Sequence, residues 1–189
     1  MGPEIGCRES IMAKIVDLKS FRDKTLELKC FGPWQQRFGE VYGIDTRVSD
    51  LSDKVVFCLA QPGENSSLAF YEFIMGALDL GPAAKFYYLD NDEQMRVVDM
   101  HLLLADQVRF EMMRRLGWVQ AYPGHHLCLV EAVRNFEAAK QQARSSPPQL
   151  SETHPEHAAY SRLTHGDRDV FIRRLLREAI DAFKKQIGE

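Results

Sequence analysis

Two histidine-bearing clusters stand out as residues whose types could do chemistry. His125 and Cys128 stand three positions apart, and so do His154 and His157. On a helical turn each pair can face one way, so together they would offer four nitrogen and sulfur ligands of the kind zinc takes. Zinc is the one cofactor these residue types suggest, and no other is expected. The spacing argues for restraint, because neither pair is a tight C-x-x-C knuckle. A helix over 127–144 would also carry the chain about 27 Å away, at 1.5 Å per residue, before the second pair could return. The plainer reading is histidines near helix starts and Cys128 as a small core residue.

A second group lies in the segment 92–116. On its helical wheel His101 and Arg109 fall inside the apolar arc, while Asp99 and Asp106 sit at the edge. A guanidinium in a core needs a carboxylate, since an unpaired buried charge costs several kcal/mol. Glu72 and Asp79, in the apolar segment before it, are the natural partners, with Asp106 as a local alternative. Such a pair would simply fix helix register. The functional reading makes Arg109 the planar clamp of an anion-accepting pocket between the two segments, lined by Glu72, Asp99, His101, Asp106 and Arg109. Phe70, Tyr71, Phe73, Phe86, Tyr87 and Tyr88 form a dense aromatic zone nearby, expected to be core.

Other chemistries are not supported. The run Asp90-Asn91-Asp92 fails as a calcium loop, because Met95 and His101 stand where glycine and glutamate are required. Pro62-Gly63-Glu64-Asn65-Ser66-Ser67 lacks the dinucleotide glycines and the P-loop lysine, and Glu64 would repel phosphate. There is no G-x-S-x-G elbow, no H-E-x-x-H, and no pair of E-x-x-H helices as in di-iron bundles. The neighbours of Cys58 are all apolar, which leaves it without an activating base.

The elements that must position these residues read mainly as helices. The segment 92–116 has an acidic cap with a glutamate three positions on, arginines in its last turn and Gly117 as its stop. Its wheel places Val98, Leu102, Ala105, Met112 and Leu116 on one face, with Leu103 and Phe110 opposite, so it should pack on two sides. The segment 66–80 carries only Glu72 and Asp79 as charges and must be nearly all buried. Further helices are expected over 127–144, 155–163 and from Asp167 onward, where Ile172, Leu176, Ala179, Phe183 and Ile187 form a stripe. The segments 21–31 and 34–42 read as two helices split at Gly32-Pro33.

The expected fold is all-α, with six to eight helices around two buried central ones (66–80 and 92–116) and a C-terminal helical hairpin. The alternative is a small α/β domain, because 55–60 and 85–89 could be strands of a βαβ unit over 54–90. Residues 1–11 read as a loose extension, with Met12 as a candidate start. Residues 12–145 read as the core domain, followed after the Ser-Pro breaker by a hairpin over 151–189 that must dock on it or on another copy.

Composition limits the function classes. Lys and Arg number 24 against 27 Asp and Glu, and the formal charge of -3 gives no general pull toward nucleic acid or anionic membrane. In the last helix Glu178 and Asp181 interleave with Arg174 and Arg177 as pairs on a solvated face. The four scattered cysteines and the lack of an apolar leader or spanning run lead to the expectation of a cytoplasmic protein that neither binds nucleic acid nor enters membrane. The leading expectation is a non-catalytic interaction or regulatory protein, homodimeric through its C-terminal helices or with another protein partner. The alternative is a small-ligand-binding protein or enzyme using the Arg109 pocket for an anionic ligand. Zinc binding is the third.

Overall fold

A computed structural model of the protein describes residues 18–188. The expected extension over 1–11 and the candidate start at Met12 lie outside the described residues. Within them the chain is all-α. In order come α1 (Leu18–Phe38), α2 (Asp53–Ala60), α3 (Glu64–Ala77), α4 (Asn91–Arg115), α5 (Leu129–Arg134), α6 (Phe136–Ser145), α7 (His157–Tyr160), α8 (His165–Arg174) and α9 (Leu176–Ile187). No strand occurs among the described residues, where only the isolated bridges Arg47–Cys128 and Val119–Leu150 form. The βαβ alternative is therefore overturned. Val55 and Val56 belong to α2, which Ser52 caps by accepting the Val55 N–H at 3.2 Å. The segment Ala83–Tyr88 is a short 3-10 helix. In α2 the two valines are fully buried, and that burial outweighs the slight helix cost of β-branching.

α3 and α4 form the centre. α1 lies along α3, α4 packs on α2 and α3, and α9 closes the other side against α2 and α4. One continuous cluster of buried side chains runs from Cys30 in α1 to Phe183 in α9. Its aromatic heart is Trp34, which donates Nε1–H to the Ala69 carbonyl at 2.8 Å and lies 5.2 Å from the Phe73 ring.

α1 does not split at Gly32-Pro33 as the sequence suggests; it runs through Pro33. Pro33 has no N–H for the Lys29 carbonyl four residues back. That carbonyl faces α3 at Gly76, where a Cβ would sit 2.1 Å from the Lys29 oxygen. The proline stays inside the helix at the place where a glycine lets the two backbones touch.

α4 keeps the expected ends. Asp90 caps it by accepting from Glu93 N–H at 2.8 Å, and Gly117 leaves it at φ 75. Its buried face is rotated from the expected one. Val97, Met100, Leu104, Val108 and Met112 are buried, whereas Val98 is half-buried and Leu102 is 54% exposed. α3 ends earlier than expected, with Asp79 at φ 58 and the Leu80 N–H donating to Met75 at 2.9 Å. This is a Schellman close with aspartate where glycine is usual.

Two expected helices are broken. The segment 127–144 becomes α5 and α6 around Asn135 at φ -114, ψ 48. The break lets α5 bury Leu129, Val130, Ala132 and Val133 on a broad face while α6 buries only Phe136 and Ala139. The last segment tightens at Leu175, whose N–H donates to Ile172 three residues back at 3.1 Å, which separates α8 from α9. The helix expected over 155–163 shrinks to the single turn α7, anchored by buried Tyr160. Ile172, Leu175, Ala179 and Phe183 are buried in the common cluster, so the apolar stripe of the C-terminal segment is used within this chain. No helix among the described residues is long and apolar enough to cross a membrane.

Candidate functional site

The five residues expected to line one pocket are dispersed. Glu72, on α3, accepts from Arg37 of α1 at 3.0 Å. Asp79 binds Lys29 at 2.6 Å, so the polar stripe of α3 is matched by cations of α1 and not by Arg109. Arg109 instead donates its Nε–H to the Ala60 carbonyl at 3.3 Å and stands 3.7 Å from Asp106, the local partner considered from sequence. His101 lies against the Phe70 and Tyr71 rings at 5.4 and 5.2 Å. Burial holds its imidazole below the usual histidine range, and the Arg109 charge adds to this. Asp99 faces another surface, against Lys140 of α6, and Asp106 stands between that surface and Arg109. The reason is the rotation of α4, which turns Val97, Met100, Leu104 and Val108 inward in place of the expected face.

The aromatic zone is likewise divided. Phe70 and Phe73 are core, Tyr71 and Phe86 are half-buried, and Tyr87 and Tyr88 are 80% and 88% exposed.

The zinc set is not assembled. His125 stacks on His126 at 3.8 Å, and Cys128 donates its thiol to the Ile44 carbonyl at 3.3 Å. His154 packs edge-on to Trp118 at 5.0 Å and accepts the Glu156 N–H, while His157 lies beside Tyr160. Each is thus engaged with its own neighbours. Among the described residues no three His, Cys, Asp or Glu side chains converge as a metal would require. The spacing within each pair was suitable; the fold does not bring the pairs together.

What the fold does build is a cleft of about 550 Å³ between α4, α6 and α8. Its size is that of a small-molecule site. Phe110 from α4, Phe136 from α6 and Tyr122 supply an apolar floor, joined by Leu103 and Pro147. Phe110 and Tyr122 meet edge to face at 6.3 Å. The Tyr122 hydroxyl donates to the Gln107 carbonyl at 3.2 Å, and burial pushes its phenol far above the usual tyrosine range. The rim is charged but largely self-neutralised. Lys140 binds Asp99 at 3.3 Å, and Arg173 binds Asp106 at 2.7 Å and Asp169 at 2.8 Å. Arg173 also lies 5.6 Å over the Phe110 ring.

Three polar groups of the cleft are left over. The Arg144 guanidinium and the His165 ring have no hydrogen-bond or ion-pair partner among the described residues. Gln107 is only 4% exposed, and its Oε1 is buried without a donor. Gly124 is needed beside it, because a Cβ there would come within 2.1 Å of that oxygen.

Sequence reasoning found Asp99 and Asp106 but missed Gln107, Lys140, Arg144, His165 and Arg173. The available signal was Phe136 and Lys140 at helical spacing facing the Ser-Pro reversal, which returns the chain toward α4. Glu111 was missed as well. It is fully buried and accepts from Arg114 at 2.7 and 2.9 Å and from Arg115 at 2.7 Å. Arg115 carries the link onward to Asp53 and to the Leu51 carbonyl.

No protein-family model, curated protein or solved structure matches the chain.

Proposed function

We propose that this is a non-catalytic binding protein that holds a small amphipathic guest in the cleft between α4, α6 and α8. The observation that carries the reading is the division of labour in that cleft. Its acids are spent on Lys140 and Arg173, its floor is aromatic, and three polar groups stand without partners. Paired rim charges orient and select a guest. The cleft's carboxylates are committed to arginine and lysine, so none of them is free to serve as a general base.

Self-association through the C-terminal helices has less support, since their apolar stripe is buried against α2 and α4. A second copy would have to meet their charged outer faces.

The test is titration with N-phenyl-1-naphthylamine, a neutral probe that fluoresces in apolar surroundings. Ala143 lines the cleft from α6 and is half-buried, so Ala143→Trp fills the space without disturbing the deep core. The probe is expected to bind the unaltered protein and to lose about tenfold in affinity in the variant, at unchanged melting temperature. Equal binding to both proteins, or none to either, would refute the proposal.

A further inference from the structure

We infer that the 3-10 turn Pro123–His126 is a latch on α4, closed at neutral pH and opened when His125 and His126 both carry a proton. The placement of the two rings carries it. His125 stacks on His126 at 3.8 Å, a separation at which two cations repel. On its other side His125 meets the Tyr122 ring at 5.8 Å. Its Nδ1 is buried and has no hydrogen-bond partner among the described residues. A neutral ring can leave a bare lone pair there, but the cation carries a proton on both nitrogens. That proton would point into the fold with no acceptor.

No free counter-charge among the described residues balances His125. On α4, Arg114 repels its charged form and Glu111 attracts it. Glu111 is fully buried and already accepts from Arg114 and Arg115, so its charge is matched. Burial, then the His126 ring and Arg114, hold the His125 imidazole below the usual histidine range. His126 is exposed and lines a pocket of about 270 Å³ with Arg47 and with Glu131 of α5, while α6 offers that pocket only uncharged side chains. Glu131 shares this pocket with His126 and not with His125.

The turn's own bonds are few: His125 N–H to Tyr122 at 3.3 Å and Leu127 N–H to Gly124 at 3.1 Å. What it presses on gives it consequence. Gly124 lies so close to α4 that a Cβ would come within 2.1 Å of the Gln107 side chain and 2.3 Å of the Tyr122 ring. Tyr122 is part of the cleft floor. Lifting the turn therefore frees Tyr122, and, on the binding reading above, acid weakens the hold on a guest. The closed form is favoured in full above the ordinary histidine value of about 6.5. Its advantage shrinks as pH falls from there toward the lowered value of the closed form.

Amide exchange of the full chain, read by NMR against free-peptide rates at each pH, tests the latch, with the His125 ring protons titrated in the same samples. Protection of the His125 and Leu127 amides is expected to hold down to about pH 6.5 and then to fall about tenfold by about pH 5, the equivalent of one unit of pKa difference. In His125→Gln the fall should vanish, and in His126→Gln, which keeps the His125 ring, it should shrink. Protection that ignores pH, an equal fall in His125→Gln, or a His125 ring that titrates at the ordinary value overturns the latch. N-phenyl-1-naphthylamine should lose affinity over the same pH range in the unaltered protein only. Steady affinity beside responsive amides overturns the link to the cleft; no probe binding at any pH overturns the cleft reading and leaves the latch supported by the amides.

Discussion

Glu111 shows how much a single side chain can carry in this protein. Burial alone would push its carboxyl up, but the hydrogen bonds and charges of Arg114 and Arg115 outweigh it and hold the group below its usual value. A carboxyl depressed in the folded state contributes stability that is complete above its unfolded pKa. That contribution is lost as pH falls from there through the folded value. Glu111→Gln is therefore expected to cost about 3 kcal/mol near neutral pH, because two guanidiniums lose their counter-charge. The difference from the unaltered protein should shrink on acidification, as read from urea unfolding at several pH values. In the sequence this residue looks like one half of an ordinary surface pair, three and four positions before two arginines. What distinguishes it is its company, Phe110, Met112 and Met113, which places it on the inner side of the helix.

At the scale of elements, the contact between α1 and α3 is set by Gly76 on Lys29 and Pro33. Gly76→Ala would drive a methyl group into the Lys29 carbonyl, and backbone on both sides leaves little room to yield. A loss of about 2–3 kcal/mol is expected from such overpacking, visible as a lower melting temperature with an unchanged helical circular-dichroism spectrum. Helix ends with chemical signals were legible: the Asp90 cap, the Gly117 stop and the buried character of α3 all follow from residue types. The breaks at Asn135 and Leu175 were not, since both residues are tolerated in helices and only packing decides that the chain bends there. Pro33 misled in the opposite direction. A proline inside a helix is read locally as a stop, whereas here the far-off Gly76 covers the carbonyl it frees.

On the scale of the whole molecule, the all-α class was legible from apolar periodicity, but the cleft was not. It joins residues of α4, α6 and α8 that are some 60 positions apart, as with Asp106 and Arg173. No helical wheel can register one helix against another at that distance. The same long reach makes the C-terminal segment part of the common core. Phe183 of α9 is fully buried in that cluster, and Phe183→Ala is expected to cost about 3–5 kcal/mol. If α9 belongs to the one cooperative unit, fluorescence and circular dichroism of this variant will lose their signals at the same urea concentration; an early separate step would mark it as an independent piece.

The environments of the two tryptophans give the protein a built-in optical reporter. Trp34 is sealed in the core with its indole N–H bonded, so its emission should be blue and indifferent to pH. Trp118 is half-buried, edge-on to His154 at 5.0 Å, and a protonated imidazole quenches an adjacent indole. Burial keeps His154 below the ordinary histidine range, although Glu156 and Glu178 oppose the shift. Acidification should therefore dim only the redder component of the emission, and His154→Gln should abolish that response. The colour that changes would then report on the Trp118 side of the fold, and the colour that does not on the joint between α1 and α3.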